Sequence, residues 1–389
     1  MNQNPLDKIP AHSNQSLPHK LAPASRPPLG QLPLTDVYSR RFGQLRQQPQ
    51  FLAQLVQALL QADPAELDTQ LYPWSHKPIL LGMQGSKILV DKGQVPIDLS
   101  QHCSLRGANL LTYSQQKQHQ AHLIYAGECL NQKDGQAQPV LVLTDCWQNY
   151  LAWGVQQPAS LGPDGEQLTA ADLLAVHCQG SWISSRILAE FEVTDSQEQR
   201  QWVALAGSVS ALNAWHTSYG FDPANGQETW VAEAGWSRIG PDGQQLFPRL
   251  DPAVITAVTA HFSGQDRLLL GQASSWESNR FSTFAGFIEA GESAEGAVVR
   301  EVAEECSGLV SSLSYRGSQP WPFPRSLMLG FRAEISNPHA VTADGEEIKE
   351  LRWFSRDQLR QSLDRAELVL PAASSISRKL IEDFYGQPL

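Results

Sequence analysis

Hydrophobic and polar residues follow different patterns in successive parts of the chain. Residues 1–33 contain seven prolines among Gln and Ser and few apolar side chains, which predicts a flexible tail. After it, apolar residues at helical spacing predict a helix over Phe51–Leu60, and short apolar runs between turns predict strands. These strands are Ile79–Leu81, Lys87–Val90 and Val140–Val142. We therefore expect an N-terminal domain of the α+β or α/β class over residues 34–203.

A change of pattern marks a small connector over residues 204–250. Ala204–His216 has the composition and spacing of a helix, and Tyr219–Gln245 is rich in Gly, Trp and turn sequences, which predict short hairpins. Strands and helices then alternate over residues 251–389, which predicts a further domain of the same class. The predicted elements there are Ala253–Val258, Leu268–Leu270, Leu327–Ala333 and Leu351–Phe354 as strands and Ala294–Cys306 and Ser374–Phe384 as helices.

Composition and charge exclude several classes of protein. Lys and Arg number 29 against 40 Asp and Glu, a net charge of −11, which argues against a basic surface for nucleic acid or anionic membrane. The apolar runs are shorter than the roughly 18 residues that a membrane helix needs. Five cysteines without a CxxC spacing predict neither a disulfide framework nor a zinc site. Because no apolar segment follows the N-terminal charges, we expect a cytoplasmic protein that does not bind membranes.

The helix predicted over Ala294–Cys306 carries the most informative chemistry. Its apolar residues form one stripe that should face a core. Three carboxylates, Glu301, Glu304 and Glu305, fall within one arc of the helix, and Glu301 and Glu305 lie at the edge of the stripe. Like charges four residues apart destabilise a helix, and a bound cation would offset this repulsion. Oxygen ligands alone favour Mg²⁺ or Mn²⁺, although the same pattern also fits a solvated acidic face.

The acidic helix belongs to a longer pattern. Gly286, five residues, Glu292, seven residues and then Arg300-Glu-Val-Ala-Glu-Glu305 resemble the Nudix box of hydrolases that cleave nucleoside diphosphates linked to another group. The resemblance implies that the three glutamates bind divalent metals and that Glu292 pairs with Arg300. It also implies a mixed sheet between helices over residues 251–389. Ser307 stands where the family has Gly, the residue that suits a left-handed helix cap, which leaves the geometry of the helix exit open.

A second motif lies downstream, at Ser318-Gln-Pro-Trp-Pro-Phe-Pro-Arg-Ser326. Three prolines at alternate positions exclude a helix and predict a stiff loop that presents Trp321 and Phe323. A proline-rich turn around a core Trp fits the same residues. Together with the box, the motif resembles the array of the NADH pyrophosphatase branch of the Nudix hydrolases.

The resemblance to this branch implies further site residues. Phe287 and Trp321 would sandwich the nicotinamide ring, and Ser326 and Met328 would line the site. Glu347 would be a further metal ligand or the general base, although an acidic loop residue beside Glu346 fits the pattern as well. Two other residues complete the implied site, Phe247 near the adenine and Ser377 in a segment that closes over the ligand.

Most members of this branch carry a zinc ribbon with four cysteines before the catalytic domain. Here Trp215–Gly220 stands in place of the first CxxC, with His216 and Tyr219 where the thiols would be. Structural zinc needs four ligands, so we expect a degenerate ribbon without structural zinc. Packing would then hold the hairpins, with Trp230, Trp236 and Phe247 as candidates.

The resemblance as a whole implies an enzyme that depends on Mg²⁺ or Mn²⁺. It would hydrolyse the pyrophosphate of NADH or NAD⁺ to nicotinamide mononucleotide and AMP, and would act as a homodimer. Removal of an NAD cap from RNA is a second implied substrate class, which the acidic charge does not favour. Two alternatives remain open: hydrolysis of ADP-ribose or dinucleoside polyphosphates, and a silent module that senses a nucleotide. The intact acidic motif argues against the silent module.

Overall fold

A computed structural model describes residues 29, 32, 34, 41–61, 74–92, 95–116, 118, 120–130, 134–145, 149–152, 169–190 and 197–389. The helices among these residues are α1 (Gly43–Arg46), α2 (Phe51–Leu60), α3 (Leu99–His102), α4 (Gly107–Gln115), α5 (Ala170–His177), α6 (Ser185–Glu190), α7 (Gln197–Ser218), α8 (Ala294–Cys306), α9 (Arg356–Asp364) and α10 (Ile376–Tyr385). No helix in this part of the chain has the length and apolarity that a membrane span requires.

The described strands fall into an N-terminal, a central and a C-terminal group. The first group is β1 (Ile79–Gln84), β2 (Lys87–Val90), β3 (Ser104–Leu105), β4 (Leu123–Leu130), β5 (Ala137–Leu143), β6 (Leu151–Ala152) and β7 (Ser181–Ser184). The second is β8 (Trp230–Ala232), β9 (Ser237–Ile239) and β10 (Gln245–Leu246). The third is β11 (Asp251–Phe262), β12 (Gln265–Ala273), β13 (Phe284–Phe287), β14 (Val310–Trp321), β15 (Ser326–Ile335) and β16 (Ile348–Phe354).

The main N-terminal sheet has the strand order β4-β5-β1-β2-β7 within the described residues, with β1 and β5 parallel. Alternation along β1 places its side chains in two cores: Leu80 packs with α2, and Leu81 and Met83 pack on the side of α7. Both faces of this sheet are therefore buried. The predicted helix over Phe51–Leu60 and the three predicted strands are confirmed.

A buried polar cluster joins α7 to the three-stranded sheet of the connector. Arg238 is fully buried, and its guanidinium donates to the hydroxyl and carbonyl oxygens of Thr229 at 2.7 and 2.8 Å. It also lies 3.0 Å from Nδ1 of His216, whose Nε2 lies 2.8 Å from the carbonyl of Gly235. Because a guanidinium only donates, Nδ1 accepts, and His216 is neutral with its proton on Nε2. Burial lowers the pKa of His216 to about 4.

Trp236 attaches the connector to the N-terminal domain. Its indole donates to the carbonyl of Tyr125 at 2.7 Å, and the guanidinium groups of Arg41 and Arg46 lie 4.7 and 4.3 Å from its ring. Phe247, by contrast, is 61% exposed, so the packing role predicted for it is wrong. The absence of structural zinc stays a prediction, which elemental analysis of the purified chain can check.

The C-terminal sheet is mixed and lies between helices, as predicted. Its strand order is β14-β15-β11-β12-β16 within the described residues; β11 is parallel to β15, and β13 pairs with the first half of β11. Along β11, Val254 and Val258 pack against α8, whereas Ile255 and Ala257 pack against α10. Alternate residues of β11 therefore face α8 on one side of the sheet and α10 on the other.

Two parts of the sequence differ from their predictions. Pro320 and Trp321 belong to β14, where they pair with Leu327 and Ser326, so the predicted stiff loop is limited to residues 322–325. A proline is tolerated there because β14 is an edge strand among the described strands, so one side of its backbone has no neighbouring strand that would need an N–H donor. In the predicted tail, Leu32 is buried in the core beside α10 and the backbone N–H of Leu29 donates to Arg316. The remainder of residues 1–33 lies outside the described residues.

Candidate active site

The packing of α8 orients its carboxylates. The Ser293 hydroxyl accepts from the N–H of Gly296 at 3.0 Å and begins the helix. Val298, Val302 and Cys306 are fully buried on one stripe, as the wheel predicted. Glu301 and Glu305 flank this stripe and are therefore held against the sheet, whereas the Glu304 side chain is 61% exposed.

The helix ends with the geometry of a glycine-capped helix even though the capping residue is serine. Ser307 adopts a left-handed conformation with φ of 55° and donates its N–H to Ala303. Gly308 then donates to Val302, and a Cβ on Gly308 would come within 2.7 Å of the Val302 side chain. The exit from the helix therefore keeps the geometry of a glycine cap, with Ser307 in the strained left-handed position.

Glu305 is the most unusual carboxylate of the helix. It is 5% exposed, and its Oε2 atom is buried without a hydrogen-bond partner. Its pKa is raised to about 8, chiefly by burial and in addition by the nearby negative charges of Glu301, Glu347 and Asp344. Glu347, on the exposed loop before β16, is therefore close enough to raise the pKa of the buried Glu305 carboxyl.

Glu301 lies over a gap in β13. A Cβ built on Gly286 would come within 1.9 Å of the Glu301 carboxylate, so only glycine leaves room for this side chain. Burial raises the pKa of Glu301, and its contact with Arg300 opposes that increase. The glycine that opens the motif and the first of the three clustered glutamates are thus one structural unit.

Arg300 connects the loop, the strand and the helix. Its Nε and Nη2 atoms bind both carboxylate oxygens of Glu292 at 2.9 Å, and Nη2 also donates to the carbonyl of Phe287 at 2.8 Å. Its Nη1 atom contacts Glu301 at 2.7 Å and Glu304 at 3.0 Å. The hydrogen bonds from Arg300 lower the pKa of Glu292. Arg300 is the counter-charge for this acidic cluster.

The residues of the cluster fit a divalent cation. Among the described residues no group of three or more His, Cys, Asp or Glu has the arrangement of a metal site, and Nη1 of Arg300 holds two of the carboxylates instead. The unpartnered Oε2 of Glu305 is nevertheless costly without a cation. An all-oxygen donor set suits Mg²⁺ or Mn²⁺. The side chains that would hold the ion are Glu301, Glu304 and Glu305, with Glu347 as a further ligand or as the general base.

The sheet register fixes the positions of the implied substrate residues. Phe287 ends β13, is 59% exposed and pairs with Ala253, which pairs in turn with Met328. Ser326 begins β15 between Asp251 and Trp321. Phe287 and Trp321 are thus separated by three strand spacings, about 14 Å. A ligand between the two rings would have to span β11 and β15.

Trp321 also has contacts of its own within the chain. Its ring meets Phe323 edge-on at 5.3 Å, and the guanidinium of Arg186 lies 5.3 Å from the ring centroid. Both aromatic rings pack against the α7 side of the N-terminal core. Trp321 therefore joins the C-terminal sheet to the N-terminal domain.

A buried polar network holds the beginning of α10. The Ser377 hydroxyl is hydrogen bonded to the hydroxyls of Ser282 and Thr283 at 2.8 Å each, so it is engaged within the chain. Gln319, fully buried, donates to the carbonyl of Ser374 at 2.7 Å and accepts from the N–H of Ile376 at 2.8 Å. The sequence analysis gave no role to Gln319. The signal that could have identified it is a polar residue at an inward-facing position of the second motif, next to exposed Pro320.

Comparison with known proteins agrees with this geometry. Residues 252–378 match the NUDIX domain family. The chain is 43% identical over 189 residues to the NAD-capped RNA hydrolase NudC of Mycobacterium bovis (strain BCG / Pasteur 1173P2), covering 46% of this chain and 59% of that protein. It is 37% identical over 184 residues to the protein of the same name from Pseudomonas syringae, covering 47% of this chain and 62% of the relative. In both cases it spans less than two thirds of the relative.

Solved structures give a weaker likeness. A NUDIX hydrolase from Nitrosomonas europaea is 20% identical, with a TM-score of 0.31, and the match covers 43% of this chain and 94% of that one. The NUDIX domain of Shewanella oneidensis NrtR complexed with ADP ribose is 18% identical with a TM-score of 0.27, covering 32% and 82%.

Proposed function

We propose that this chain, which carries a NUDIX domain over residues 252–378, is an enzyme that hydrolyses the pyrophosphate of NADH or NAD⁺ to nicotinamide mononucleotide and AMP. The observation that carries the proposal is the carboxylate of Glu305, buried with an unpartnered Oε2 beside Glu301 and near Glu347. A divalent cation bound by these carboxylates would offset the cost of burying their negative charges close together. The similarity to NAD-capped RNA hydrolases supports the choice of substrate.

The divalent ion would neutralise pyrophosphate charge and activate the attacking water. The protein's own groups organise the reaction around it. Arg300 binds Glu292 and the Phe287 carbonyl through Nε and Nη2. Its separate Nη1 contacts with Glu301 and Glu304 can therefore break while those with the loop remain. Because its pKa is raised to about 8, Glu305 carries a proton near neutral pH, which it would lose on binding the ion. Glu347, exposed at the mouth, accepts the proton of the water that attacks phosphorus while the bond to the bridging oxygen breaks.

Phe287 and Trp321 define the nicotinamide side in this proposal. The exposed ring of Phe287 offers a stacking surface beside Met328 and Ser326, and Trp321 supplies the opposite boundary. Exposed Phe247 would contact the adenine side, and Ser377 would fix the segment before α10 by its hydroxyl contacts. The proposal includes a homodimer, which light scattering of the purified chain tests.

NAD-capped RNA is the second candidate substrate, because the similar proteins of Mycobacterium bovis and Pseudomonas syringae are NAD-capped RNA hydrolases by name. It contains the same pyrophosphate and nicotinamide, so the same residues would act. The net charge of −11 offers no general attraction for RNA phosphates. We therefore place free dinucleotides first.

Product analysis tests the proposal. The full chain is incubated with NADH, NAD⁺, ADP-ribose and NAD-capped RNA, each with Mg²⁺ or Mn²⁺, and Glu305→Gln is the control. We expect nicotinamide mononucleotide and AMP from the free dinucleotides and a large loss in the variant. Hydrolysis of ADP-ribose alone would replace the proposal with the broader hydrolase, and no hydrolysis of any substrate would favour the silent module.

A further inference from the structure

A cavity of about 350 Å³ lies on the α10 side of the C-terminal sheet, away from the acidic cluster. Strand register fixes its place: Ala257, which packs towards α10, pairs with Arg332, and Arg332 pairs with Ser314. The cavity extends to Thr259 near the end of β11. Gly286, under the Glu301 carboxylate, instead pairs with Val254 on the α8 side. The cavity and the acidic cluster are therefore on opposite faces of the sheet.

Two guanidinium groups in this cavity have unused hydrogen-bond donors. Arg332 is half-buried and forms no hydrogen bond or ion pair with the described residues. Arg316 binds Asp383 through Nη2 at 2.5 Å, but its Nε is buried without a partner. Unpaired donors at such positions are costly unless a ligand or water accepts from them. The Ser314 hydroxyl lies beside Arg332 in the register and adds a further donor.

Among the described residues, no carboxylate around the cavity forms an ion pair or a hydrogen bond with Arg332. Asp266 pairs with His261 at 2.8 Å and lies 3.9 Å from Arg356; the hydrogen bond from His261 and the charge of Arg332 both lower its pKa. Glu334 is exposed, within a weak 3.5 Å contact of the Ser312 hydroxyl. Asp266 therefore acts on Arg332 through its charge alone, and the hydrogen-bond donors of Arg332 remain available to a ligand in the cavity.

We infer that this cavity binds the phosphate group of a phosphate ester. A guanidinium presents its donors in a planar fork that matches two phosphate oxygens, and the Arg316 Nε and the Ser314 hydroxyl can serve a third. The volume is at the lower end for ligand sites, which suits a phosphate with one attached sugar. The inference is independent of the proposed hydrolysis, because it uses none of the residues of the acidic cluster.

Calorimetric titration of the full chain with inorganic phosphate tests this inference. EDTA is present, so that no cation can attract phosphate to the acidic cluster. We expect saturable binding that weakens at least about tenfold in Arg332→Gln, the loss expected for removing a charged donor. Arg332→Lys keeps the charge without the fork and should fall between the two. The matched control is Arg360→Gln, since Arg360 is exposed on α9 and pairs with Asp364.

The outcomes of the titration separate the inference from its alternatives. Equal phosphate affinity in Arg332→Gln and Arg360→Gln would overturn it, as would the absence of saturable binding in the unmodified chain. Circular dichroism checks that both variants are folded. AMP and a short RNA with a 5′-hydroxyl then identify the source: Arg332-dependent binding of AMP but not of the RNA indicates a terminal phosphate, whereas Arg332-dependent binding of the RNA indicates backbone phosphate.

Discussion

The carboxylate of Glu301 occupies the space that a side chain at Gly286 would need, since a Cβ there would come within 1.9 Å of it. The two residues come from different elements, β13 and α8, and are 15 positions apart. Glycine is required here for space and not for backbone conformation, because the φ of Gly286 is not left-handed. The strand therefore determines where the Glu301 side chain can lie.

Gly286→Ala should displace Glu301 and weaken cation binding. The added methyl group cannot share the space with the carboxylate, so we expect Mn²⁺ affinity, measured by electron paramagnetic resonance, to fall at least about tenfold. Turnover should fall with it. Gly220→Ala is the control, because a Cβ on Gly220 meets no atom within 4 Å. Unchanged Mn²⁺ affinity in Gly286→Ala would show that Glu301 does not hold the ion.

Glu305→Gln should reduce kcat at least about 100-fold at saturating Mg²⁺, about 2.7 kcal/mol of barrier. The amide keeps the size of the side chain and removes one ionic ligand. Its melting temperature in EDTA should not fall, because the substitution removes a carboxylate that burial and neighbouring acids disfavour. The control is Glu295→Gln, in the exposed first turn of the same helix. Near-normal turnover of Glu305→Gln would rule out its role in catalysis.

Ser307→Gly should stabilise the chain by about 1 kcal/mol, since a residue with a Cβ pays roughly this amount in the left-handed region. Ser307 has φ of 55° at the end of α8. The change would appear as a higher urea midpoint for the unfolding of the C-terminal domain. Ser311→Gly, in extended β14, should act in the opposite direction, because glycine weakens strands. A lower midpoint in Ser307→Gly would contradict this account.

Acid should destabilise the connector through His216. Its pKa is about 4 in the folded chain against 6.5 for the ordinary group, so the unfolded chain takes up the proton first as the pH falls. The stability is fully present above about pH 6.5 and is lost progressively towards pH 4, by up to about 3 kcal/mol. His216→Gln should have a flatter stability profile over this window, and exposed His261→Gln should retain the original slope. Parallel profiles for all three chains would refute the assignment.

The chemistry of α8 could be predicted from sequence because it depends on local periodicity. Val298, Val302 and the three clustered glutamates lie within a few helical turns, so their relative directions follow from 3.6 residues per turn. The surroundings of Arg238 could not be predicted. Its partner Thr229 lies directly before β8, and its partner His216 lies in α7. Only the folded connector brings these residues together.

The place of Trp321 was beyond sequence reasoning for a similar reason. Alternating prolines indicate a stiff segment, but they do not reveal that β14 continues through Pro320 to Trp321 along β15. Nor do they show that Arg186, from another domain, lies over the indole. Leu32, in the predicted tail, is buried for the same kind of reason: its apolar partners beside α10 lie more than 200 residues away along the chain.

Trp321 combines packing with its proposed contact to substrate, so Phe287 provides the cleaner test of nicotinamide stacking. Trp321→Ala should lower the melting temperature because it removes the contacts with Phe323 and Arg186, which complicates any kinetic result. Phe287 is 59% exposed, and its replacement leaves little packing to lose. Its backbone carbonyl, which binds Arg300, remains in the variant.

Phe287→Ala should reduce kcat/KM for NADH about 5- to 150-fold, the equivalent of 1–3 kcal/mol of ring stacking. ADP-ribose contains the same pyrophosphate but no nicotinamide, so its hydrolysis should change much less. Phe221→Ala is the matched control, because Phe221 has the same 59% exposure and lies in the connector. Equal losses for NADH and ADP-ribose in Phe287→Ala, at an unchanged melting temperature, would mean that position 287 acts on the shared pyrophosphate. The nicotinamide would then have to be recognised by other residues.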